Sequence, residues 1–436
     1  VDIKKITIIN WQCIDYLSIS FEKLMIFIGE SNHGKTSAIN ALSAGLGFYE
    51  VKKSDFKNEN KNIEIKIKFF SKSEGFFTIK FIKNSNLEEK YFFINHGIEK
   101  ELSKDEFSLK LSSIQVIKVS AKQTEIKDSL IKVREILSMN KIKNTRISND
   151  LKGKIEFLSE NRISQSLQRK ILFSFLKNML NEMKNYTENS KDRLYNAVLI
   201  FEEPELHLNP QASRELYSIL IKLSNIGVQI VIETHSSYFV GLKQYKSICL
   251  VKKIKRQVVI YQHTGQLFYG DEIKNFNMNY WINPDRGEMF FAKKVILVEG
   301  QTDKIAISYL AKKLEIYNYN YSIIECGSKS IIPQFIKILN AYKIPYVAVY
   351  DKDNHLWRSD TEIESSNNKN RAIRKMINRY IGNYIEFEND IEEEVYSQDR
   401  EKKNYKNKPY YTLQKISEEE YRLPLKLEEK IREIYK

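Results

Sequence analysis

The 436-residue sequence predicts an α/β protein: a head with an antiparallel meander and a helical insert, followed by a Rossmann-like βαβ domain. Three observations carry this expectation. The short, nearly all-apolar runs "YNAVLIF", "GVQIVIET" and "SICLVKKI" have the make-up of parallel strands buried on both faces. "NIEIKIKFF", "FFTIKFIK" and "YFFIN" follow one another with turn residues between them, as antiparallel strands do. Beyond residue 290, strand-like and helix-like segments alternate: "KKVILV", "DKIAISYLAKKLE", "YSIIEC", "SIIPQFIKILNAY", "YVAVY".

The remaining elements follow in order. "DIKKITIIN" predicts an opening strand, and "YLSISFEKLMIFIG" a second that ends at Gly29. Residues 37–47 suit a helix, and "SSIQVIKVS" suits another strand. Residues 122–160 read as polar helix, and "SQSLQRKILFSFLKNMLNEMKNY" as one long amphipathic helix. "FNMNYWINPDRGEMF" brings Asn, Pro and Gly together and breaks the pattern. A boundary there gives domains 1–285 and 286–436, with the insert at about 85–165 of the first. The charged stretches 357–380 and 398–408 are expected at the surface.

A net charge of +14 favours a polyanionic partner, nucleic acid first. Cys13, Cys249 and Cys326 match no metal spacing and suit a reducing cytoplasm. The apolar runs are too short to cross a bilayer, and the N-terminal residues do not read as a secretion signal.

"GESNHGKTS" fits G-x-x-x-x-G-K-[ST] and stands between a predicted strand and a predicted helix. Gly29, Asn32, Gly34, Lys35, Thr36 and Ser37 are its candidate phosphate-binding residues. The glycines let backbone N–H groups close on phosphate oxygens, Lys35 reaches the β- and γ-phosphates, and Thr36 takes Mg²⁺. "AVLIFEEPELHLNPQ" ends a strand in Glu202, for the Mg²⁺ ion, and Glu203, to polarise the attacking water. "IVIETHSSYF" puts His235 at another strand end, where it can sense the γ-phosphate.

These pieces, in this order, resemble the ATP-binding-cassette (ABC) ATPases of the SMC and Rad50 kind, whose paired heads sandwich ATP. The resemblance implies ATP with one Mg²⁺. In "ISQSLQRKI", Ser164 and Ser166 stand where the family's signature has glycines, while Gln168 and Arg169 remain. That departure argues against rapid hydrolysis but leaves a nucleotide-driven dimer possible.

In the second domain, "VILVEGQTDK" ends a strand at Glu299, with Asp303 one helical turn on, and "YVAVYDKDNH" ends another at Asp351 and Asp353. Ligands of parallel sheets gather outside such strand ends. Four carboxylates packed together repel one another and hold protons. Divalent cations remove that cost, and oxygen ligands favour Mg²⁺ or Mn²⁺. Two ions about 4 Å apart suit phosphodiester cleavage.

This pattern resembles the Toprim domain. With the ATPase ahead of it, nearly the whole chain resembles the OLD (overcoming lysogenisation defect) ATP-dependent endonucleases. The resemblance implies a DNA-cleaving enzyme with two ions in the Toprim site, often used by bacteria against phage. It assigns Glu299 as the first acid, at the catalytic centre, with Asp303 its companion and Asp351 and Asp353 the DxD pair. Glu392 of "NDIEEEVYS" is the later acid, with Glu393 as alternate, and Lys408 of "YKNKPYYTLQKI" is the lysine of the cleavage transition state. Gly327 and Ser328 shape the floor. Lys369, Arg371, Arg374, Lys375, Arg379, Lys402, Lys403 and Lys406 suit DNA phosphates. The expected partners are DNA, ATP, further copies in an even-numbered homo-oligomer and a companion defence protein, with no membrane. The rival reading is an ATPase scaffold that holds a partner effector, with a weak or inactive Toprim domain.

Overall fold

The structure, a computed structural model, describes residues 1–112, 114–119, 197–270, 272, 284–397 and 407–436, with a few short parts of 131–180. The chain divides into two compact units, Val1–Thr264 and Gly265–Lys436.

In the first unit, strands β1 (Asp2–Trp11), β2 (Ile14–Ser20), β4 (Ile63–Ser71), β5 (Gly75–Lys83), β6 (Glu89–Asn95) and β7 (Ile98–Leu102) form an antiparallel sheet in the order β2-β1-β4-β5-β6-β7. Its alternation is visible in β4, where Ile63, Ile65, Ile67 and Phe69 are buried and Lys68 is exposed. A second sheet has the order β12-β11-β3-β10-β9-β8. Within it β3 (Leu24–Ile28), β8 (Gln115–Val119), β9 (Ala197–Glu202), β10 (Gln229–Glu233) and β11 (Ile248–Ile254) run parallel, and β12 (Gln257–Tyr261) is an antiparallel edge. Helix α1 (Lys35–Gly45) leaves the β3 end, and its Ala38, Ile39 and Leu42 share one core with residues of both sheets.

Two expectations are corrected here. The single strand expected over "YLSISFEKLMIFIG" is two strands in different sheets. The Phe21 N–H closes back on the Lys4 carbonyl at 2.9 Å, which ends β2, and the charged Glu22-Lys23 pair precedes β3. The insert expected at about 85–165 opens in strands, β6 and β7. Helix α2 (Lys104–Leu111), with its Ser103–Glu106 capping box, and β8 follow. The rest of that stretch, and most of the long helix expected after it, lie outside the described residues.

In the second unit, β13 (Lys294–Val298), β14 (Tyr321–Glu325), β15 (Tyr346–Asp351) and β16 (Gly382–Phe387) form a parallel sheet in the order β14-β13-β15-β16. The chain goes from β13 to one side and returns to the other, so its direction reverses between β13 and β15. A crevice opens outside such strand ends, and ligands bind there. Helices α3 (Pro284–Gly287), α4 (Gln301–Lys313), α5 (Ile332–Ala341), α6 (Asp360–Met376), α7 (Ile391–Tyr396), α8 (Lys408–Ser417) and α9 (Leu425–Tyr435) complete the unit. Ile307, Leu310, Ile391, Ile416 and Ile431 from four of them pack on Ile296, Val298 and Val347. Each fully buried side chain of this size contributes about 1.5–3 kcal/mol. The charged stretch 357–380 is largely α6, exposed on most of its length, with Ser366, Asn370 and Ile373 turned inward. None of the described helices is long and apolar enough to cross a membrane.

Candidate active site

The reversal point of the second sheet holds the acids. Glu299 follows β13, and its Oε1 accepts the Asp351 N–H at 2.9 Å, which ties the two strand ends together. Asp303 sits in the first turn of α4, where its carboxylate accepts the Gly300 N–H at 2.9 Å. A cavity of about 630 Å³ is lined by Glu299, Asp303, Asp351, Asp353, Glu392 and Lys408, with Gly327 and Ser328 also on its wall. Glu393, the alternate acid, turns away to His355 Nδ1 at 2.6 Å.

The electrostatics divide these acids. Burial, with Glu299 and Glu392 adding to it, raises the Asp303 carboxyl to about 7, although the Gly300 N–H and Lys408 oppose the shift. Burial and then the charges of Asp303 and Glu299 push Asp351 well above the carboxylate range, and its Oδ1 is buried with no hydrogen-bond partner. Burial likewise raises Glu299 against Lys329, and Glu392 with help from Asp390. Asp353 differs. Burial alone would raise it, but the hydrogen bond and charge of Lys329, with Arg358, hold it below the usual range.

Lys329 is the lysine of "ECGSKS". It is 5% exposed, and its ammonium reaches Asp353 Oδ2 at 2.5 Å, Ser366 Oγ at 2.9 Å and the Asp351 carbonyl. Glu299 Oε1 lies 3.7 Å away, and Arg358 takes the other Asp353 oxygen at 2.9 Å. Lys408 stands 3.1 Å from Glu392 and 3.5 Å from Asp390. Burial works against its charge, but Glu392 and Asp390 outweigh that and raise its pKa. Of the basic residues expected to face DNA, Lys369 lines the cavity and Arg374 pairs with Glu386 at 3.4 Å. Lys402, Lys403 and Lys406 lie outside the described residues.

In the first unit the glycine loop joins β3 to α1. Gly29 has φ +140°, and a Cβ there would meet the Val251 carbonyl oxygen at 2.2 Å, so the loop needs glycine. Gly34 (φ +99°) packs against Val258 and Cys13, Asn32 is left-handed at φ 61°, and Ser37 lies 3.4 Å from Cys13 Sγ. Lys35 is buried and donates to the Gly29 and Glu30 carbonyls at 3.0 Å each. Burial lowers its pKa against the pull of Glu233, Glu203 and Glu205. Strand β10 lies between β3 and β9, so its terminal Glu233 is nearer the loop than Glu202. Thr36 accordingly donates to Glu233 at 2.6 Å, while Glu202 pairs with Lys118 at 2.7 Å. His235 Nε2 lies 3.7 Å from Glu203, and burial followed by Lys35 lowers its pKa. The signature-like residues Ser164, Ser166, Gln168 and Arg169 lie outside the described residues.

Three family models match. The overcoming lysogenization defect protein-like Toprim domain covers residues 290–353, an AAA ATPase domain covers 118–240, and a family of unknown function covers 2–91. An OLD nuclease of Thermus scotoductus is 32% identical over 170 residues, which are 38% of this chain and 32% of that protein. Residues 290–353 are thus similar to the Toprim domain of the overcoming lysogenization defect proteins, and residues 118–240 to an ATPase domain. The endonuclease GajA of Bacillus cereus is 24% identical over 249 residues, 51% of this chain and 35% of that one. The chain therefore spans about a third of the length of these relatives. A solved SMC head covers 60% of this chain and 98% of its own, at 15% identity and a TM-score of 0.42.

The OLD-like Toprim unit offers hard carboxylate oxygens, three of them on strand ends or the first turn beyond, and one buried oxygen without a partner. That donor chemistry fits a divalent cation. Among the described residues, however, no three His, Cys, Asp or Glu groups are placed to share one ion. Positive charge comes instead from Lys329, Arg358 and Lys408. The sequence reading missed Lys329, Arg358, Asp390 and, in the head, Glu233 and Lys118. The available signal for Lys329 and Glu233 was position alone: one follows a parallel strand by a few small residues, and the other ends a strand.

Proposed function

We propose that the chain is a metal-dependent DNA endonuclease whose Toprim site cuts phosphodiester bonds while ATP in the head governs assembly or activity. One observation carries the reading. Glu299, Asp303, Asp351 and Glu392, from three segments of the chain, face one cavity with proton affinities all raised by burial and by neighbouring acids. Such a cluster is costly unless cations compensate it, and perturbed acids in a cleft are a mark of chemistry.

A divalent cation, when bound, offsets the charge of these acids and of the phosphate. Glu299, Asp303, Asp351 and Glu392 would hold it, and the two-ion arrangement would also draw on Asp353. The residues do the rest. Glu299 fixes the β15 end through the Asp351 N–H, and Asp303 is fixed by the Gly300 N–H. Lys408, held by Glu392 and Asp390, is placed to stabilise negative charge growing on the phosphate oxygens. Lys369 supplies a sequence-independent phosphate contact at the rim. In the head, Lys35 and the glycine loop would take the ATP phosphates, Thr36 with Glu233 and Glu202 the Mg²⁺ ion, and Glu203 and His235 the γ-phosphate side.

The names of the two relatives, a nuclease and an endonuclease, support the chemistry, and antiphage defence is the biological role that fits it. We assign the chain to the cytoplasm and to an even-numbered homo-oligomer, with a companion protein as a possible partner. The test is nicking of supercoiled plasmid by the purified chain with Mg²⁺ or Mn²⁺, beside Asp351→Asn. Cleavage by both chains alike, or by neither under any metal, removes the reading.

A further inference from the structure

Lys329 is built into the acidic site more completely than a surface ion pair would be. An ammonium has three hydrogens to donate, and here three acceptors take them: Asp353 Oδ2, Ser366 Oγ and the Asp351 carbonyl. The side chain is 5% exposed, so water can replace little of this. Ser366 Oγ, buried on α6, also lies 3.0 Å from Asp353 Oδ2 and 3.2 Å from the Lys352 carbonyl, and its one proton serves either acceptor. Asp353 itself sits at φ 61°, a left-handed conformation that aspartate tolerates better than most residues.

Two carboxylates near this ammonium, Asp353 and Glu299, are among those the metal-dependent reading draws on. Asp353 is doubly paired and ionised, and Glu299 lies 3.7 Å from the same nitrogen. We propose that Lys329 is a resident counter-cation of the Toprim site, competing with divalent cations for Asp353 and Glu299 and thereby setting how tightly the site takes them. This rests on the metal-dependent reading above and deepens it. Lys329 is on this account a positioning residue: it holds Asp353 beside Glu299 when no other cation does so, and it must give up Asp353 before that carboxylate can serve as a ligand.

The competition has a sign that a purely structural lysine lacks. Removing a stabilising residue from a metal site normally loosens the site. Removing a competing positive charge within a few ångströms tightens it, by about tenfold or more at the effective dielectric of a protein interior. The experiment is a Mn²⁺ titration of nucleotide-free full-length chain, reading free Mn²⁺ by its electron paramagnetic resonance signal. Asp351→Asn defines the background outside the Toprim site. Lys329→Met, similar in length and uncharged, is expected to bind Mn²⁺ about tenfold tighter than wild type, and Lys329→Arg about as wild type. Ser366→Ala, a milder change, covers the case in which Lys329→Met does not fold. It removes one of the three acceptors and is expected to tighten Mn²⁺ binding several-fold. Folded variants that bind Mn²⁺ equally or more weakly than wild type overturn the proposal and leave the nuclease reading intact. No uptake above background in any protein overturns the nuclease reading itself, and the proposal with it.

Discussion

Burial and neighbouring acids raise the proton affinity of four acids in the second unit. Asp303 shows how this shapes stability. Its carboxyl titrates near 7 when folded and near the ordinary aspartate value when unfolded, so the native chain binds the extra proton. Stability from this group is fully present below about pH 4 and is lost as pH rises through about 7. Thermal melts in EDTA should therefore show wild type losing stability between those limits, with a shallower loss in Asp303→Asn. Parallel slopes would mean the carboxyl is not perturbed. Lys408 makes a second residue-scale prediction. Lys408→Met should lower nicking about a hundredfold while leaving Mn²⁺ uptake in place, as expected for a group that meets developing charge. Joint loss of both would assign it to ion binding instead. At this scale the sequence pointed to Glu299, Asp303 and Asp351, because each closes an apolar run or stands in the first turn beyond it, and the three line one cavity. It did not show Lys329 or Arg358, whose partners are set by side chains meeting across the sheet end. Lys329 and Ser366 are 37 residues apart and share no local pattern.

Elements place these groups through a few close approaches. Gly382 begins β16 directly over the Tyr346 ring, where a Cβ would lie 2.2 Å from a ring carbon. Gly382→Ala should destabilise the chain by about 1–3 kcal/mol through overpacking, seen as a lower midpoint in denaturant melts. An unchanged midpoint would show that β16 can shift without cost. Most elements were legible from apolar patterning and length, including the five-strand-and-helix alternation that builds the site. The break at Phe21–Lys23 was not, because a continuous apolar rhythm does not reveal that a chain changes sheet. Strand β16 was missed for a related reason: "GNYIEF" has only Ile385 and Phe387 buried and is recruited by its pairing with β15.

At the scale of the whole molecule, two units carry two separate candidate sites. The sequence places its boundary at 285/286 from the Asn, Pro and Gly break, and the compact units divide at Thr264/Gly265. Which acid stands beside Thr36 was not readable, since sheet order puts Glu233 ahead of Glu202 and no linear motif encodes sheet order. Lys35→Ala should abolish ATP binding, measured by fluorescent-nucleotide anisotropy, and leave metal-dependent nicking detectable. Loss of nicking in that variant would make nucleotide a requirement rather than a regulator. The central claim is that Asp351 and its neighbours form a cutting site. The most direct test compares supercoiled-plasmid nicking by wild type and Asp351→Asn in Mn²⁺, without any partner protein. The account predicts nicking by wild type and a loss of at least about a hundredfold in the variant. Equal nicking, or none from a folded wild-type chain, would contradict it.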